Sequence, residues 1–387
     1  MSKPRIDLVL LGATGSIGQS TVDLVRRFPD RFRIVGASAR RRGRELQALA
    51  REFQIPHLLL TDPAAAATMT GAGWIDPQDG FEALLQACGS ATVVNGLVGA
   101  AGLAPTVAAL RRGSDVALAN KEALVVGGEL VLAAAREGGA RILPVDSEHS
   151  AIAQCLRGNP PEEVRRLWLT ASGGPFRDHD PAALAHVTLE EVLNHPTWDM
   201  GPKITVDSAT MMNKGLEVVE AHLLFGIELA SIEVVIHRQS IVHSMVELRD
   251  GAFLAQLGAP DMRVPILYAL AGEEHWETDV APFDPVRGGS LTFEEPDPAR
   301  YPCLFLARGA AETGGSATVV LNAANEEAVA GVLREELSFS DIPRIIEETL
   351  SAVPADPVGS VEAALDRDRE ARGHAQELVR AVSRSRS

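Results

Sequence analysis

Two acidic side chains separated by one residue, Asp146 and Glu148, directly follow an apolar run from Arg141 to Val145. In an extended segment residues i and i+2 share a face, so the two carboxylates are expected to point the same way. Like charges that close need a cation or a raised pKa, and oxygen-only ligands favour Mg²⁺ or Mn²⁺ over zinc. The pair predicts a divalent-metal site, with a solvated acidic loop as the alternative.

A second group of polar side chains lies between residues 207 and 217, where an acid and several hydrogen-bond donors stand among apolar residues. If the segment is helical, Asn213 and Glu217 stack one turn apart, with Lys214 beside them. Gly215 would allow close approach of another group, and Ser208 would cap the start of the helix. A functional site and a purely structural role both remain open for this segment.

Two loops combine glycine and proline with groups that suit a ligand pocket. Residues 170–176 read Thr-Ala-Ser-Gly-Gly-Pro-Phe, and their glycines would present N–H groups, with the hydroxyl of Ser172, to an anion. Residues 195–203 run from His195 through Trp198 to Lys203, and their Gly and Pro hinges around a large aromatic are typical of a lid. An ordinary surface loop is the alternative for each.

A glycine-rich turn, Gly-Ala-Thr-Gly-Ser-Ile-Gly at residues 12–18, stands between an apolar run and a helical pattern from Gln19 to Arg27. Glycines allow close approach to a pyrophosphate, whose charge is stabilised by the unpaired N–H groups of a helix N-terminus. The spacing is GxxGxxG rather than GxGxxG, and a tight turn without a ligand is the alternative. In this context the turn predicts a dinucleotide site.

Three consecutive basic residues, Arg40, Arg41 and Arg42, follow the second apolar run. An NAD enzyme usually has an Asp or Glu at this point for the ribose 2′-hydroxyl, whereas guanidinium groups suit a 2′-phosphate. The alternative is a solvated basic start to the next helix. The three arginines therefore predict NADPH rather than NADH as cofactor.

These groups need a scaffold, and the first 145 residues have the pattern of a parallel sheet. Apolar β-branched runs alternate there with helical patterns, which is typical of βαβ units. The candidate strands are Ile6 to Leu11, Arg33 to Ala37, Leu58 to Thr61, Thr92 to Gly96, Asp115 to Leu118 and Arg141 to Val145.

Beyond residue 146 the pattern changes to glycine-rich loops, one helix near residues 208–224 and a hairpin around Asp250-Gly251. Residues 276–300, rich in Pro, Asp and Glu, predict a connecting arm, and helical patterns follow near 302–312, 318–337, 341–351 and 360–382. The predicted class is α/β, with a Rossmann-like NADPH-binding domain (1–146), an α+β catalytic domain with metal and substrate sites and a lid (147–275), the arm (276–300) and a C-terminal helical bundle (301–387).

Composition excludes several classes of partner. The 387 residues are 46% hydrophobic and 23% charged, which favours a folded globular protein. With 52 acidic against 36 basic residues the net charge is -16, which disfavours nucleic acid and anionic membranes. The 3 cysteines form no CxxC pair, and no apolar stretch is uninterrupted enough to span a membrane. A reducing cytoplasm is the expected compartment.

The motifs together resemble those of the 1-deoxy-D-xylulose 5-phosphate reductoisomerase family over nearly the whole chain. Two of them, DSEHSAI at 146–152 and DSATMMNKGLE at 207–217, are the most specific. The resemblance implies an NADPH-dependent enzyme of non-mevalonate isoprenoid biosynthesis. It implies metal-dependent rearrangement of 1-deoxy-D-xylulose 5-phosphate, followed by reduction to 2-C-methyl-D-erythritol 4-phosphate. It also implies a homodimer, a Mg²⁺, Mn²⁺ or Co²⁺ ion and a phosphorylated ketose as substrate.

By position, the resemblance assigns roles to individual residues. The implied metal ligands are Asp146, Glu148 and Glu217. The implied substrate and catalytic residues are Lys121, Ser147, Glu148, Ser172, His195, Ser208, Asn213, Lys214 and Glu217. Those implied to bind the phosphate are Ser172, His195, Ser208, Asn213 and Lys214. The implied cofactor contacts are Thr14, Gly15, Ser16, Ile17, Arg40, Arg41, Arg42, Asn120, Glu122 and Gly201, while Trp198 and Met200 fall in the lid.

The chain departs from the family pattern at two places. Arg40 to Arg42 replace a sequence such as Gly-Lys-Asn, which strengthens the charge available for a 2′-phosphate. Arg238 stands where proline is usual. Two other classes remain as alternatives: an NADP-linked dehydrogenase that needs no divalent metal, and a non-catalytic NADPH-sensing regulator. The first predicts turnover in EDTA, and the second predicts cofactor binding without turnover.

Overall fold

The computed structural model describes residues 5–198 and 200–386, and the chain divides into two compact units. Unit 1 comprises residues 1–123, 129–150 and 261–279, and unit 2 comprises residues 124–128, 151–260 and 280–387. The chain passes from one unit to the other at residues 123–124 and 150–151, which lie within helices. It also does so at residues 128–129, 260–261 and 279–280.

The described strands, in chain order, are β1 (Ile6–Leu11), β2 (Phe32–Ala39), β3 (His57–Leu60), β4 (Trp74–Ile75), β5 (Thr92–Asn95), β6 (Val116–Leu118), β7 (Ile142–Pro144), β8 (Val164–Ala171), β9 (Ile232–Ile236), β10 (Val242–Leu248) and β11 (Phe253–Leu257). The described α-helices are α1 (Ser16–Arg27), α2 (Gly43–Phe53), α3 (Pro63–Ala66), α4 (Gly80–Cys88), α5 (Leu103–Arg111), α6 (Lys121–Gly127), α7 (Glu129–Gly138), α8 (Ser147–Leu156), α9 (Leu189–Leu193), α10 (Pro202–Ala209), α11 (Met212–Phe225), α12 (Arg263–Leu270), α13 (Pro302–Thr313), α14 (Ala317–Leu333), α15 (Asp341–Ala352) and α16 (Val361–Arg386).

Unit 1 is built on a seven-stranded sheet in the order β4-β3-β2-β1-β5-β6-β7. Every pairing in this sheet is parallel, which confirms the predicted Rossmann-like arrangement. The central strands are apolar and buried, as parallel strands covered on both faces must be. The strand order reverses between the neighbours β1 and β5, and the carboxyl ends of strands at such a point form the usual ligand crevice of an α/β sheet.

Helix α12 packs in unit 1, far along the chain from the sheet that it covers. Its buried side chains, which include Ile266, Leu267 and Leu270, share a hydrophobic core with Leu8 and Leu10 of β1. The sequence-based division assigned residues 261–275 to the catalytic domain, and the structure instead groups them with unit 1. An apolar helix carries no local signal for which core it joins, because any buried core satisfies its hydrophobic face.

Unit 2 contains a four-stranded mixed sheet in the order β11-β10-β8-β9. The predicted hairpin is confirmed as the antiparallel pair of β10 and β11, whose turn includes Asp250 and Gly251. β8 pairs antiparallel with β10 and parallel with β9, so the loop that leaves β8 at Ser172 begins at a central strand. Helix α11 packs against β8 and β9 in a shared core with Val218 and Ala221.

The helices α13 to α16 confirm the predicted C-terminal helical region. They bury their apolar faces in a core that also contains Leu216 and Val219 of α11. Helix α11 therefore lies between the mixed sheet and the C-terminal helices, and its polar residues are held from two sides. No helix among the residues that the structure describes is long and apolar enough to cross a membrane.

The single helix expected near residues 208–224 is two helices, α10 and α11. The break falls at Thr210 and Met211, where Met211 has a left-handed φ of 60°. Ser208 consequently lies in the last turn of α10, and the prediction that it caps the start of the helix is wrong. A left-handed Met has no recognisable sequence signature, since glycine or asparagine is the usual residue there.

Candidate active site

The glycine turn at residues 12–18 follows β1 directly and leads into α1. Gly12 has a φ of +84°, and a Cβ there would lie 2.8 Å from the carbonyl oxygen of Gly96. A Cβ at Gly18 would lie 2.5 Å from the Ala13 carbonyl. The N-cap residue Gly15 provides no side-chain cap, so the N–H groups of the first turn remain available to an anion.

The three arginines lie at the carboxyl end of β2, as predicted, but their side chains differ in their contacts. Arg41 Nε lies 2.6 Å from Asp62 Oδ2, and Arg42 Nη1 lies 3.3 Å from Glu45 Oε2. The hydrogen bond from Arg41 lowers the pKa of Asp62 below its usual value. A cavity of about 430 Å³ opens beside Arg41 and Arg42, lined by the first turns of α2 and by residues 68–70.

The turn after β6 places three predicted residues side by side. Asn120 Nδ2 donates to Glu122 Oε2 at 2.8 Å and to the carbonyl oxygens of Leu97 and Gly99, both at 3.1 Å. These bonds fix the turn that starts α6. Lys121, the first residue of α6, lies with its Nζ 2.6 Å from Asp146 Oδ2 and is almost fully buried.

Asp146 and Glu148 follow β7, the edge strand of the same sheet. The expectation of an extended pair is wrong, because α8 begins at Ser147 and places Glu148 in its first turn. Negative charge is favourable at a helix N-terminus, which is one physical reason for an acid there. Ser147 Oγ donates to Glu148 Oε2 at 2.5 Å, and His149 Nδ1 lies 3.9 Å from Asp146 Oδ2.

In unit 2, two hydroxyls and one imidazole meet at the loop that leaves β8. His195 Nε2 lies 3.1 Å from Ser172 Oγ and 3.0 Å from Ser208 Oγ. Gly174 has a φ of +66°, and a Cβ there would lie 2.9 Å from the carbonyl oxygen of Ser208, so the loop packs tightly on the end of α10. The predicted anion loop, lid segment and helix therefore converge on one pocket, which we call the hydroxyl pocket (Ser172, His195 and Ser208).

The imidazole of His195 is neutral in this pocket. Its Nδ1 accepts N–H bonds from Thr197 at 3.1 Å and from Trp198 at 2.9 Å, so the ring proton resides on Nε2. Burial, together with the smaller effect of the charge of Arg177, lowers the pKa of His195 to about 4. The pocket thus offers an Nε2–H donor and two hydroxyls, with no charge of its own from these three groups.

The polar group on α11 forms the contacts that its helical spacing predicts. Asn213 Nδ2 donates to Glu217 Oε1, one turn later, and Lys214 Nζ donates to Glu217 Oε2. Lys214 and Glu217 are 4% and 1% exposed, which makes Glu217 a buried carboxylate held by two donors. Gly215 lets α13 approach closely, because a Cβ there would lie 2.4 Å from the Ala307 Cβ.

The lid segment is described except for Asp199, which lies outside the described residues. Trp198 lies 6.4 Å from His243, centroid to centroid, and Met200 precedes the N-cap residue Gly201 of α10. Lys203 in the first turn of α10 lies 2.8 Å from Asp207 Oδ2. The first residues of the segment are thus held by hydrogen bonds to the His195 ring, and its last residues belong to α10.

Each unit gathers its own share of the predicted residues. Unit 1 places the glycine turn, the arginines, Asn120 to Glu122, and Asp146 to Glu148 after the carboxyl ends of parallel strands. Unit 2 assembles the hydroxyl pocket and the group on α11. Sequence reasoning assigned nothing to His149, Arg177, Asp207 or Asn325. Of these, only His149 had a usable signal, its position one helical turn after Asp146.

Comparison with known proteins tests the resemblance. A family model described as 1-deoxy-D-xylulose 5-phosphate reductoisomerase matches residues 8–128, and the corresponding C-terminal domain models match residues 142–225 and 257–374. The reductoisomerase of Thermosynechococcus vestitus is 50% identical over 382 residues, which cover 96% of this chain and 92% of the relative. The chain belongs to the 1-deoxy-D-xylulose 5-phosphate reductoisomerase family.

Other members of the reductoisomerase family agree in sequence and in structure. The reductoisomerase of a Cyanothece strain is 51% identical over 350 residues, covering 88% of this chain and 90% of the relative. The Zymomonas mobilis reductoisomerase in complex with NADPH has a TM-score of 0.88 at 42% identity, covering 97% of this chain and 99% of that one. A reductoisomerase in complex with NADPH, fosmidomycin and magnesium has a TM-score of 0.91 at 40% identity, covering 98% of both chains.

Proposed function

We propose that this reductoisomerase-family chain converts 1-deoxy-D-xylulose 5-phosphate into 2-C-methyl-D-erythritol 4-phosphate in non-mevalonate isoprenoid biosynthesis. The carbon skeleton is rearranged in a metal-dependent step, and NADPH then reduces the product of that step. The observation that carries this proposal is the 50% identity to a reductoisomerase across 96% of the chain, so that both units are matched. A dehydrogenase of another kind would share only the dinucleotide unit.

NADPH is the proposed cofactor, and the groups of unit 1 fit its parts. The uncapped first turn of α1 suits the pyrophosphate. Glycine is needed at residues 12 and 18 of the turn that leads into this helix, because a Cβ at either position would strike neighbouring backbone. The cavity beside Arg41 and Arg42 suits the 2′-phosphate. Thr14, Gly15, Ser16, Ile17, Arg40, Asn120, Glu122 and Gly201 complete the proposed cofactor contacts. When bound, NADPH would supply the hydride for reduction of the rearranged aldehyde.

A divalent cation, Mg²⁺, Mn²⁺ or Co²⁺, is the second proposed cofactor. We propose Asp146, Glu148 and Glu217 as its ligands, since their donor set is entirely carboxylate oxygen and hard cations prefer oxygen. Glu217 is 1% exposed, and a carboxylate buried to this degree is stabilised only by close positive charge or donors. When bound, the ion would act as a Lewis acid and template for the carbonyl and hydroxyl of the ketose.

The remaining proposed residues orient these ligands or bind the substrate. Lys121 fixes the Asp146 carboxylate, Ser147 fixes Glu148, and Asn213 and Lys214 fix Glu217, each by a direct hydrogen bond or ion pair. The hydroxyl pocket donates to the phosphate oxygens through Ser172, Ser208 and the Nε2–H of His195. Phosphate binding there pulls on the lid segment, because His195 is bonded to the backbone of Thr197 and Trp198. Lid closure excludes water from the reacting atoms.

The direct test follows NADPH absorbance in the presence of 1-deoxy-D-xylulose 5-phosphate, with added Mg²⁺ and then with EDTA. We expect NADPH oxidation that requires both the ketose phosphate and the divalent ion. Undiminished turnover in EDTA would favour the metal-independent dehydrogenase. NADPH binding without turnover in any divalent metal would favour the sensing regulator.

We also propose that the protein is a cytoplasmic homodimer that binds neither nucleic acid nor membranes. The exposed edge of the mixed sheet supports self-association. β11 is the edge strand, and its residues Phe253, Ala255 and Leu257 share one exposed, apolar face. An apolar edge strand left open to solvent invites pairing with another chain, and a second copy of this chain presents the same complementary edge.

A further inference from the structure

The three side chains that define the hydroxyl pocket of unit 2 are all uncharged donors. Ser172 and Ser208 contribute hydroxyls, and His195 contributes an Nε2–H from a neutral ring. A phosphate monoester carries close to two negative charges at neutral pH. A positive charge close to these donors would strengthen the binding of such a dianion.

The lysine that the family resemblance assigns to the phosphate does not bring a free charge. Lys214 donates to Glu217, and both side chains are nearly fully buried. In this structure its ammonium is therefore paired with a carboxylate within the same turn of α11. A second cation near the hydroxyl pocket would add to the positive potential there.

Arg177 contacts the backbone of Ser172. Its Nη1 donates to the carbonyl oxygen of Ser172 at 3.0 Å and to that of Arg238 at 3.4 Å. Its stem packs against Gly173, where a Cβ would lie 3.0 Å from the Arg177 Cβ. The backbone of Arg177 is itself held, because its carbonyl oxygen accepts a bond of 2.7 Å from Arg300. The guanidinium thus fixes the backbone of the residue whose hydroxyl faces His195.

The charge of Arg177 is not taken up by a close ion pair. Among the described residues its carboxylate partner is Asp178, 3.9 Å from Nε, and Asp178 lies closer to Arg238, at 2.6 Å. The charge instead acts on the pocket, where it adds to the effect of burial in lowering the pKa of His195. Because the Arg177 guanidinium disfavours a positive charge on His195, it favours a negative charge, such as that of a phosphate, in the hydroxyl pocket.

We propose that Arg177 is a positioning residue for the phosphate of the substrate. It fixes Ser172 through the carbonyl oxygen of that residue. It also places a positive charge, paired only at 3.9 Å with Asp178 among the described residues, close to the neutral donors of the hydroxyl pocket. The inference rests on the proposed function, since it takes the bound anion to be the phosphate of a ketose phosphate. Arg177 would thus favour binding of a doubly charged phosphate without touching the phosphate itself.

The test compares steady-state kinetics of the full-length enzyme and three variants. Arg177→Gln should raise the KM for 1-deoxy-D-xylulose 5-phosphate about tenfold or more, with kcat changed less than about threefold. Arg177→Lys keeps the charge but loses the planar fork, so its KM should rise about threefold. The KM for NADPH should stay unchanged in both. Arg238→Gln is the matched control, because its side chain binds Asp178 and Glu294 and not Ser172.

A binding measurement separates this inference from the proposed function. Calorimetric titration with inorganic phosphate should show about tenfold weaker binding to Arg177→Gln than to wild type and to Arg238→Gln. If wild type binds phosphate with this dependence on Arg177 but does not turn over the ketose phosphate, the pocket inference stands and the proposed function falls.

Three outcomes would overturn the role of Arg177. The first is a wild-type KM and phosphate affinity in folded Arg177→Gln. The second is an equal rise in the KM for NADPH, which would indicate a general disturbance rather than an effect on the pocket. The third applies if circular dichroism shows that Arg177→Gln does not fold. In that case Arg177→Lys is the test variant, and a wild-type KM for 1-deoxy-D-xylulose 5-phosphate in Arg177→Lys would overturn the role.

Discussion

At the level of single residues, the three arginines after β2, which we propose to bind a 2′-phosphate, differ in their contacts. Arg41 is held in place by Asp62, whose side chain also caps α3 by accepting the N–H of Ala65. Because the Arg41 bond lowers the pKa of Asp62, this carboxylate stays ionised at neutral pH and keeps Arg41 in position. Arg40 makes no ion pair within the described residues and is free to turn toward a phosphate.

Cofactor preference should depend on Arg41. Arg41→Ala should lower the ratio of kcat/KM for NADPH to that for NADH by about tenfold or more, since a hydrogen bond to a charged group contributes about 1.5–3 kcal/mol. Arg51→Ala is the matched control, because Arg51 lies in the last turn of α2, at the far end of the helix that follows the three arginines. Equal use of both cofactors by wild type, or an unchanged ratio in Arg41→Ala, would contradict a 2′-phosphate site here.

The residues of the candidate site could be predicted better than their local geometry. Asp146 and Glu148 were found by type and spacing, yet Glu148 lies in the first turn of α8 and not in an extended segment. Asn213 and Glu217 do stack one turn apart, as helical spacing dictates. Arg177 could not be found, because its role depends on which carbonyl its guanidinium reaches in the folded loop.

At the level of elements, a buried polar contact joins α10 to α14. Asp207 of α10 accepts from Lys203 at 2.8 Å and from Asn325 Nδ2 at 2.8 Å. Asp207 is 1% exposed, and Asn325 is fully buried. This contact fixes the helix that carries Ser208 to a helix of the C-terminal region. The C-terminal helices therefore help to hold the hydroxyl pocket in shape.

Removal of the Asn325 amide should destabilise the fold measurably. Asn325→Leu leaves one oxygen of Asp207 without its donor and should lower the free energy of unfolding by about 1–3 kcal/mol. Asn325→Asp should be worse at pH 8, because it places two carboxylates together, and the gap between the two variants should narrow as pH falls and one of them takes a proton. Urea denaturation followed by circular dichroism measures both.

The control for the two Asn325 variants is a surface amide that donates a hydrogen bond to a carboxylate. Gln376 donates to Glu327 at 3.1 Å and is exposed, so Gln376→Leu should change the free energy of unfolding by no more than about 0.5 kcal/mol. Equal free energies of unfolding for Asn325→Leu and Gln376→Leu would contradict a stabilising role for the contact between Asn325 and Asp207.

Elements with strong local patterns were predictable, and the break between α10 and α11 was not. β1 was predicted with its observed bounds, since the sheet core demands an unbroken apolar run there. The four C-terminal helices begin and end close to their predicted residues. The break at Met211 was missed because the packing of two helices, and no local residue type, imposes its left-handed backbone.

At the level of the whole molecule, the chain has two compact units where the sequence suggested four segments. Turn residues and composition mark where a pattern changes, which is how the arm at 276–300 was found. They do not mark which core a segment joins, so the return of α12 to unit 1 could not be read from its residues. The four-part division into functional domains stays a prediction.

Self-association should depend on the edge strand β11. Phe253→Lys adds a charge to an apolar face on which Phe253 is 51% exposed, and it should weaken a dimer about tenfold or more. Sedimentation equilibrium over a range of protein concentrations measures this. Val286→Lys is the control, because Val286 is 90% exposed but lies outside the sheet. A monomeric wild type, or an unchanged dimer in Phe253→Lys, would contradict the proposal.

The most direct test of the account is the turnover of Asp146→Asn. If carboxylates hold a divalent ion that the reaction requires, this variant should lose ketose-phosphate-dependent NADPH oxidation by more than about a hundredfold while its NADPH affinity stays near that of wild type. Asp7→Asn, at the amino end of β1 in the same sheet, should react as wild type does. Full activity of Asp146→Asn at limiting Mg²⁺ would contradict the account.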